Sequence, residues 1–200
     1  MFIQVIEGKT RDPDALHERF RIWERDLMPG AVGYLGSTGG CTAAADCIML
    51  ARFENAEAAR RNSARPEQDA WWTETEKLFD RPVTFHDTTD VHVMTHGQMD
   101  DAHFVQVMEG HVTDRARADA LNQEAEPLLA EERPDLIGSV TAYYGDGDYT
   151  EVAYFTSEAE AREGERKEMA PEMAERFAEF QELWHVDRYL DITDPWLTTA

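Results

Sequence analysis

The 200-residue sequence predicts an α+β fold made of two copies of one βαββαβ unit. Residues 2–8 read FIQVIEG and residues 104–110 read FVQVMEG, which are identical at five of seven positions. The same offset relates residues 51–53 (ARF) to residues 153–155 (AYF), and each of these precedes an acidic, alanine-rich segment. Self-similarity at a fixed spacing is typical of a duplicated structural unit.

Each repeat begins with a short apolar strand, predicted at residues 2–7 and 104–109. An amphipathic helix follows, opened by Asp12 or Asp14 in the first repeat and ended by residues 29–30 (PG). In the second repeat the corresponding helix is predicted at residues 114–131. Spacings of four, three and four place four apolar residues on one face of the first helix: Leu16, Phe20, Trp23 and Leu27.

A β-hairpin comes next in each repeat. In the second repeat its turn is GDGD at residues 145–148, and in the first repeat the strand after the turn is predicted at residues 47–53. The second helix of each repeat is interrupted, near Pro66 and Pro171. The strands that close the two repeats are predicted at residues 83–93 and 186–192.

These patterns predict a first repeat at residues 1–94, a linker at residues 95–102 and a second repeat at residues 103–197. A ferredoxin-like βαββαβ unit carries helices on one face of its sheet only, so the other face needs a cover. Two units placed face to face can close into a single-chain α/β barrel. We therefore expect a monomer with an intramolecular pseudo-dimer, or a homodimer.

The charge balance narrows the classes of partner. Acidic residues number 41 and basic residues 19, a formal net charge of −22, which disfavours binding to nucleic acid. No apolar run reaches the roughly 18–20 residues of a membrane span, and the start of the chain does not read as a secretory leader. We expect a cytoplasmic protein whose partner is a small molecule, with no membrane attachment.

The two cysteines, Cys41 and Cys47, flank a Gly/Ala-rich turn. They are too few for a disulfide scaffold, and no companion Cys or His stands at metal spacing. We expect free structural thiols, with a disulfide across the turn as the alternative.

Three segments resemble the antibiotic biosynthesis monooxygenase group of the dimeric α/β barrel superfamily: PGAVG at 29–33, ARFENAEAAR at 51–60 and AYFTSEAEAR at 153–162. The resemblance implies a cofactor-free monooxygenase that holds an aromatic or polyketide-like molecule in a cleft between helices and sheet. Such an enzyme promotes deprotonation of its substrate, which then reacts with oxygen. The alternative is a non-catalytic small-molecule-binding or stress-associated protein of the same fold.

The haem-degrading branch of the superfamily provides a further alternative. It uses an Asn on the first strand, a Trp in the second helix and a His about nine residues later as iron ligand. The counterparts in the two repeats are Gln4 and Gln106, Asn62 and Gly164, and Trp71 and Met173. No histidine stands at the ligand position, so we expect no metal and no cofactor, with haem as the less favoured alternative.

The candidate site residues come from the predicted strands and second helices. Gln4, Gln106 and His86 are the candidates for a catalytic role. The candidates for ligand binding are Asn62, Trp71, Trp72, Tyr143, Tyr154 and Met173. A buried amide needs a hydrogen-bond partner. We expect the glutamines either to bond to each other across the pseudo-twofold or to line a cleft, and we expect at most one cleft to be active.

Overall fold

A computed structural model describes residues 1–200 and divides them into two compact units, Met1–Val91 with Asp194–Ala200, and His92–Thr193. Each unit contains one five-stranded antiparallel sheet and three α-helices, which confirms the predicted α+β fold of two ferredoxin-like repeats. None of the helices combines the length and the apolar character needed to cross a bilayer.

The strands of the first unit are β1 (Phe2–Lys9), β2 (Tyr34–Cys41), β3 (Asp46–Phe53), β4 (Thr84–Thr88) and β10 (Trp196–Thr199). They form a sheet in the order β10-β2-β3-β1-β4. The helices of this unit are α1 (Pro13–Asp26), α2 (Ala56–Ser63) and α3 (Pro66–Thr75).

The strands of the second unit are β5 (Val91–Thr95), β6 (Phe104–Val112), β7 (Leu136–Tyr144), β8 (Asp148–Phe155) and β9 (Trp184–Ile192). They form a sheet in the order β5-β7-β8-β6-β9, which matches the first sheet position for position. The helices of this unit are α4 (Arg115–Glu132), α5 (Glu158–Arg166) and α6 (Pro171–Leu183).

The closing strands differ from the prediction. The single strand expected at residues 83–93 is two strands, and the second of them, β5, pairs with β7 in the second sheet. In the first sheet β10, which the sequence analysis missed, pairs with β2. The compact units therefore depart from the repeats predicted at 1–94 and 103–197. In each sheet the added strand hydrogen-bonds an edge that would otherwise leave backbone groups unpaired.

The helices begin where the repeat pattern places them. The side chain of Asp12 accepts from the backbone N–H of Ala15 at 2.9 Å, and that of Asp114 accepts from Arg117 at 3.0 Å. Such caps satisfy backbone N–H groups that have no partner inside the helix. The second helix of each repeat is broken before a proline, as predicted, into α2 and α3 and into α5 and α6.

Strand alternation sets which side chains face the helices. On β1, Phe2 packs in a core cluster with aromatic side chains of α1 and α3, so the alternate residue Gln4 also points to the helix side. Ile3 and Val5 point to the opposite face, where both are fully buried. Gln106 occupies the same place on β6.

A disulfide joins Cys41 and Cys47. The β2–β3 register places these residues directly opposite each other, with their Cα atoms 4.0 Å apart. The expectation of free thiols is therefore wrong, because the turn aligns the two strands so that the side chains meet.

Replacing both Cys41 and Cys47 by Ala should lower the free energy of unfolding by about 2 kcal/mol, since the bond closes a short loop in the unfolded chain. Chemical denaturation of both proteins, with and without dithiothreitol, measures the difference. The reductant should destabilise the native chain and leave the double variant unchanged. Equal sensitivity of the two proteins would contradict the assignment.

Candidate functional site

Each unit contains a cleft between its helices and its sheet. The first cleft has a volume of about 220 Å³ and the second about 1110 Å³. Small-molecule sites in proteins occupy roughly 300–1,000 Å³. The second cleft therefore has the capacity for a ligand of several fused rings, and the first does not.

The residues that line the first cleft are mostly aromatic or amide side chains. They include Gln4, Phe20, Trp23, Tyr34, Phe53, Asn62, Gln68, Trp71, Trp72 and Phe85. The second cleft is lined by apolar residues with a polar floor and a charged rim. They include Met94, Gln106, Met108, Leu121, Asn122, Ala125, Leu129, Leu136, Ser139, Glu151, Ala153, Met173, Arg176, Phe180 and Trp184.

The difference in volume comes first from the long helices α1 and α4. Counted from their capping residues, Phe20 corresponds to Asn122 and Trp23 corresponds to Ala125. All four residues line their own cleft. Two aromatic rings in the first repeat are thus matched by a short amide and a methyl group in the second, and the space they would occupy is open.

The other cleft walls repeat this contrast. Tyr34 on β2 corresponds to Leu136 on β7, each paired with the last phenylalanine of the neighbouring strand. Counted from the prolines that open α3 and α6, Trp71 corresponds to Arg176. A three-residue insertion before α6 therefore puts Arg176, rather than Met173, at the position of Trp71.

Hydrogen bonds hold the polar groups of the first cleft. Trp23 donates from Nε1 to Gln68 Oε1 at 2.7 Å, and Trp71 donates from Nε1 to the backbone carbonyl of Arg19 at 2.9 Å. The Asn62 carbonyl oxygen accepts from Arg65 at 2.9 Å. The exposed fractions of Trp23 and Trp71 are 8% and 7%. These side chains form a packed core whose polar atoms already have protein partners.

The two predicted glutamines bond to their own sheets. Gln4 Nε2 donates to Asp87 Oδ1 on β4, and Gln106 Nε2 donates to Asp191 Oδ1 on β9, both at 2.9 Å. The expectation of a bond across the pseudo-twofold is wrong, because strand pairing brings an aspartate directly beside each glutamine. Each glutamine also lines its cleft, which agrees with the alternative.

The sheet floors differ at one chemically important position. Both carry the glutamine and a serine, Ser37 or Ser139, on the helix side. Met49 of the first floor, however, corresponds to Glu151 of the second. Met49 packs so closely that a Cβ added to Gly39 would lie 2.4 Å from its Cε atom. The carboxyl group thus occurs only where the cleft is open.

Glu151 is the functional candidate that the sequence analysis missed. Burial raises the pKa of this carboxyl above its ordinary value of 4.5, and a hydrogen bond from Ser139 opposes part of that rise. The signal available in the sequence was an acidic residue inside the apolar segment TEVAYF, where the first repeat has methionine. A perturbed carboxyl in a cleft is a common mark of a functional site.

The end of the second cleft is aromatic. Phe180 and Trp184 stack with ring centroids 4.3 Å apart and their planes 9° apart. The Trp184 indole N–H is buried and has no hydrogen-bond acceptor. A buried N–H without a partner is unfavourable, and a ligand oxygen would relieve that penalty.

The remaining predicted residues are scattered. Asn62, Trp71 and Trp72 meet in the first cleft, and Met173 lies buried in the second. The other three are Tyr143, Tyr154 and His86, and none of them lines either cleft. Tyr154 is fully buried on the face of β8 opposite Ala153 and Glu151, and His86 pairs with Val5 on the face opposite Gln4. Nowhere in the chain do three or more His, Cys, Asp or Glu side chains converge as metal ligands.

Trp71→Ala should lower the free energy of unfolding by about 3–5 kcal/mol, because it removes a packed indole and its hydrogen bond. Arg176→Ala at the matched position of α6 should cost about 0–1 kcal/mol, as its ion pair with Glu124 is partly exposed. Urea denaturation gives both values. Similar losses would contradict the view that only the first cleft is packed as a core.

No protein-family model and no curated protein matches this sequence. Solved structures do. A protein from Lactobacillus acidophilus provisionally assigned as a monooxygenase shares 15% identity over 99% of this chain and 95% of its own, with a TM-score of 0.72. A second such protein, from Fusobacterium nucleatum, shares 6% identity over 99% and 94%, with a TM-score of 0.76.

An anthrone oxidase-like protein shares 11% identity over all of this chain and 93% of its own, with a TM-score of 0.67. At these identities the likeness is one of fold. The chain has, over its full length, the ferredoxin-like fold of these monooxygenase-like proteins.

Proposed function

We propose that the protein is a cofactor-free oxygenase of an aromatic or polyketide-like small molecule and that the second cleft is its site. The observation that carries the proposal is the second cleft itself. Its volume of about 1110 Å³ exists because Asn122, Ala125 and Leu136 stand where the first repeat has aromatic rings. The shared fold with monooxygenase-like proteins and with an anthrone oxidase-like protein supports the same reading.

The walls of the second cleft suit a planar, apolar ligand. Met94, Met108 and Met173 are unbranched and polarisable, so they can adjust to the faces and edges of fused rings. Enclosure by such side chains would exclude water from a reactive carbanion or phenolate. A small number of polar groups, among them Gln106 and Ser139 on the sheet and Asn122 on α4, would orient the oxygens of the ligand.

The chemistry needs little from the protein beyond this environment. An electron-rich substrate that has lost a proton can transfer electrons to molecular oxygen without a metal. The protein would hold the ring system, stabilise the anion and protect it from water. In this proposal the first cleft stabilises its own unit and binds no substrate.

Oxygen uptake tests the function. The purified protein should consume oxygen with at least one member of a panel of anthrones, hydroxyanthrones and hydroquinones, and uptake should survive EDTA. An added haemin control should show no Soret shift. Binding of panel members without oxygen consumption would instead identify a non-catalytic binding protein.

Ala125→Trp should weaken ligand binding and lower oxygen uptake, because the indole would refill the second cleft as Trp23 fills the first. We expect a loss of about 100-fold in affinity, equivalent to about 2.8 kcal/mol. Isothermal titration and oxygen uptake measure it.

Trp23→Ala is the matched control. It should cost about 3–5 kcal/mol of stability yet leave affinity and uptake within a factor of about two. Loss of binding in this variant but not in Ala125→Trp would place the site in the first cleft.

A further inference from the structure

We infer that Glu151 is the proton-accepting residue of the second cleft and that Ser139 positions its carboxylate. This inference rests on the proposed function and names the group that performs its first chemical step. The geometry that points to it is the position of the carboxyl on the floor of the open cleft, where Ser139 lies opposite Ala153, two residues along β8 from Glu151.

The floors of the two clefts differ at the position of this carboxyl. The repeats agree at the glutamine–aspartate pair and at the serine, and these groups occur whether or not the cleft is open. They disagree at Met49 and Glu151. Met49 lines a cleft that aromatic side chains fill, whereas Glu151 lines a cleft with room for a ligand beside its carboxyl. Its presence on the open floor alone indicates a chemical role.

The strand register locates this carboxyl among its neighbours. Glu151 on β8 lies opposite Met108 of β6 and opposite Thr141 of β7. Gln106 lies opposite Ala153, two residues further along β8. The carboxyl and the amide are therefore diagonal neighbours on one face of the sheet, close enough for one fused-ring substrate to meet both.

Charged and titratable groups surround the cleft on every side. They are Arg133 after α4, Arg162 and Glu165 of α5, Arg176 of α6, His185, Asp187, Asp191 and Tyr189 of β9, His92 of β5, and Tyr149 of β8 itself. The arginines are paired with acids other than Glu151: Arg133 with Asp135, Arg162 with Asp191 and Arg176 with Glu124.

The charge of Glu151 raises the pKa of Tyr149, whereas the pKa of Glu151 itself is shifted mainly by burial. Burial raises the pKa of the Glu151 carboxyl, and only the hydrogen bond from Ser139 acts in the other direction. A base whose pKa lies nearer to neutral pH removes a proton from a weak acid more effectively than an ordinary carboxylate does.

A substrate with a reactive methylene group would be oxidised to a carbonyl compound in three stages. The Glu151 carboxylate takes a proton from the C–H bond, and the electron pair left on carbon forms a C–O bond to molecular oxygen. The resulting peroxide anion takes the proton back from Glu151. Loss of water from the hydroperoxide leaves a carbonyl, so one oxygen atom enters the product and the other leaves as water.

Anaerobic isotope exchange isolates the proton transfer from the oxygen chemistry. With anthrone in D₂O and no oxygen, the native protein should accelerate exchange at the methylene carbon, and Glu151→Gln should lose about 10²–10⁴-fold of that acceleration. The exposed Glu175→Gln on α6 is the matched control and should exchange at the native rate. Exchange by Glu151→Gln within about threefold of native would overturn the inference.

The pH profile provides a readout that a structural role would not move. Native exchange should increase with pH as the Glu151 carboxyl ionises, with a midpoint above 4.5. Glu151→Gln should lose this dependence, and Ser139→Ala should shift the midpoint upward because it removes the hydrogen bond that stabilises the carboxylate.

Stability supplies an independent test that needs no substrate. Because the pKa of Glu151 is raised in the folded state, ionisation destabilises the fold as the pH rises above the ordinary value. Glu151→Gln should therefore melt at a higher temperature than native at about pH 8, and the difference should disappear near pH 4. A variant less stable than native at about pH 8 would assign the carboxyl a structural role and overturn the inference.

The two proposals fail in different ways. Absence of oxygen uptake and exchange by the native protein across the whole panel would contradict the proposed function. If the native protein is active and Glu151→Gln is equally active, only the proposed role of Glu151 is contradicted. Should the variant not fold, carboxyl NMR of the native protein still decides: added anthrone should perturb the Glu151 carboxyl resonance, and an unchanged Glu151 resonance with anthrone bound would overturn the inference.

Discussion

Both halves of the chain are organised around one apolar strand that is hydrogen-bonded along both of its edges. β1 lies between β3 and β4, and β6 lies between β8 and β9. Because side chains alternate along a strand, this pairing fixes which residues face the helices. A slip of one residue in β1 or β6 would turn Gln4 or Gln106, with the other helix-side residues of that strand, away from its cleft. The two clefts therefore inherit their geometry from the same register.

On this common frame the two repeats have diverged in volume and in charge. The first repeat fills its helix–sheet space with indole and phenyl rings whose polar atoms bond to protein. The second has small or flexible side chains at those positions and a carboxyl on its floor. Open volume and an acid partly removed from water both reduce stability, and proteins tolerate such features where a function requires them. The first repeat stabilises its own unit by the packing that the second lacks.

Two features protect the sheet margins. β10 and β5 occupy equivalent edges of the two sheets. β10 follows the second repeat in sequence but joins the first sheet, and β5 directly precedes the second repeat and joins the second sheet. The disulfide links the two strands of the first hairpin at the end where the chain turns. His17 stacks on Trp196, with ring centroids 4.5 Å apart, so a helix side chain also holds the added β10 in place.

The sequence by itself predicted two copies of one unit, the element order of each repeat, helix starts at Asp12 or Asp14 and near Asp114, and the helix breaks at Pro66 and Pro171. These features depend on local spacing and on the backbone chemistry of single residues, which a pattern records. Tertiary structure alone decided that the cysteines pair, that β10 and β5 join the edges of the two sheets, and that each glutamine hydrogen-bonds to an aspartate. It also decided which cleft is open and that Glu151 lies on its floor. Those outcomes depend on contacts between side chains that are distant in sequence. Neither hydrophobic periodicity nor a single motif specifies such contacts.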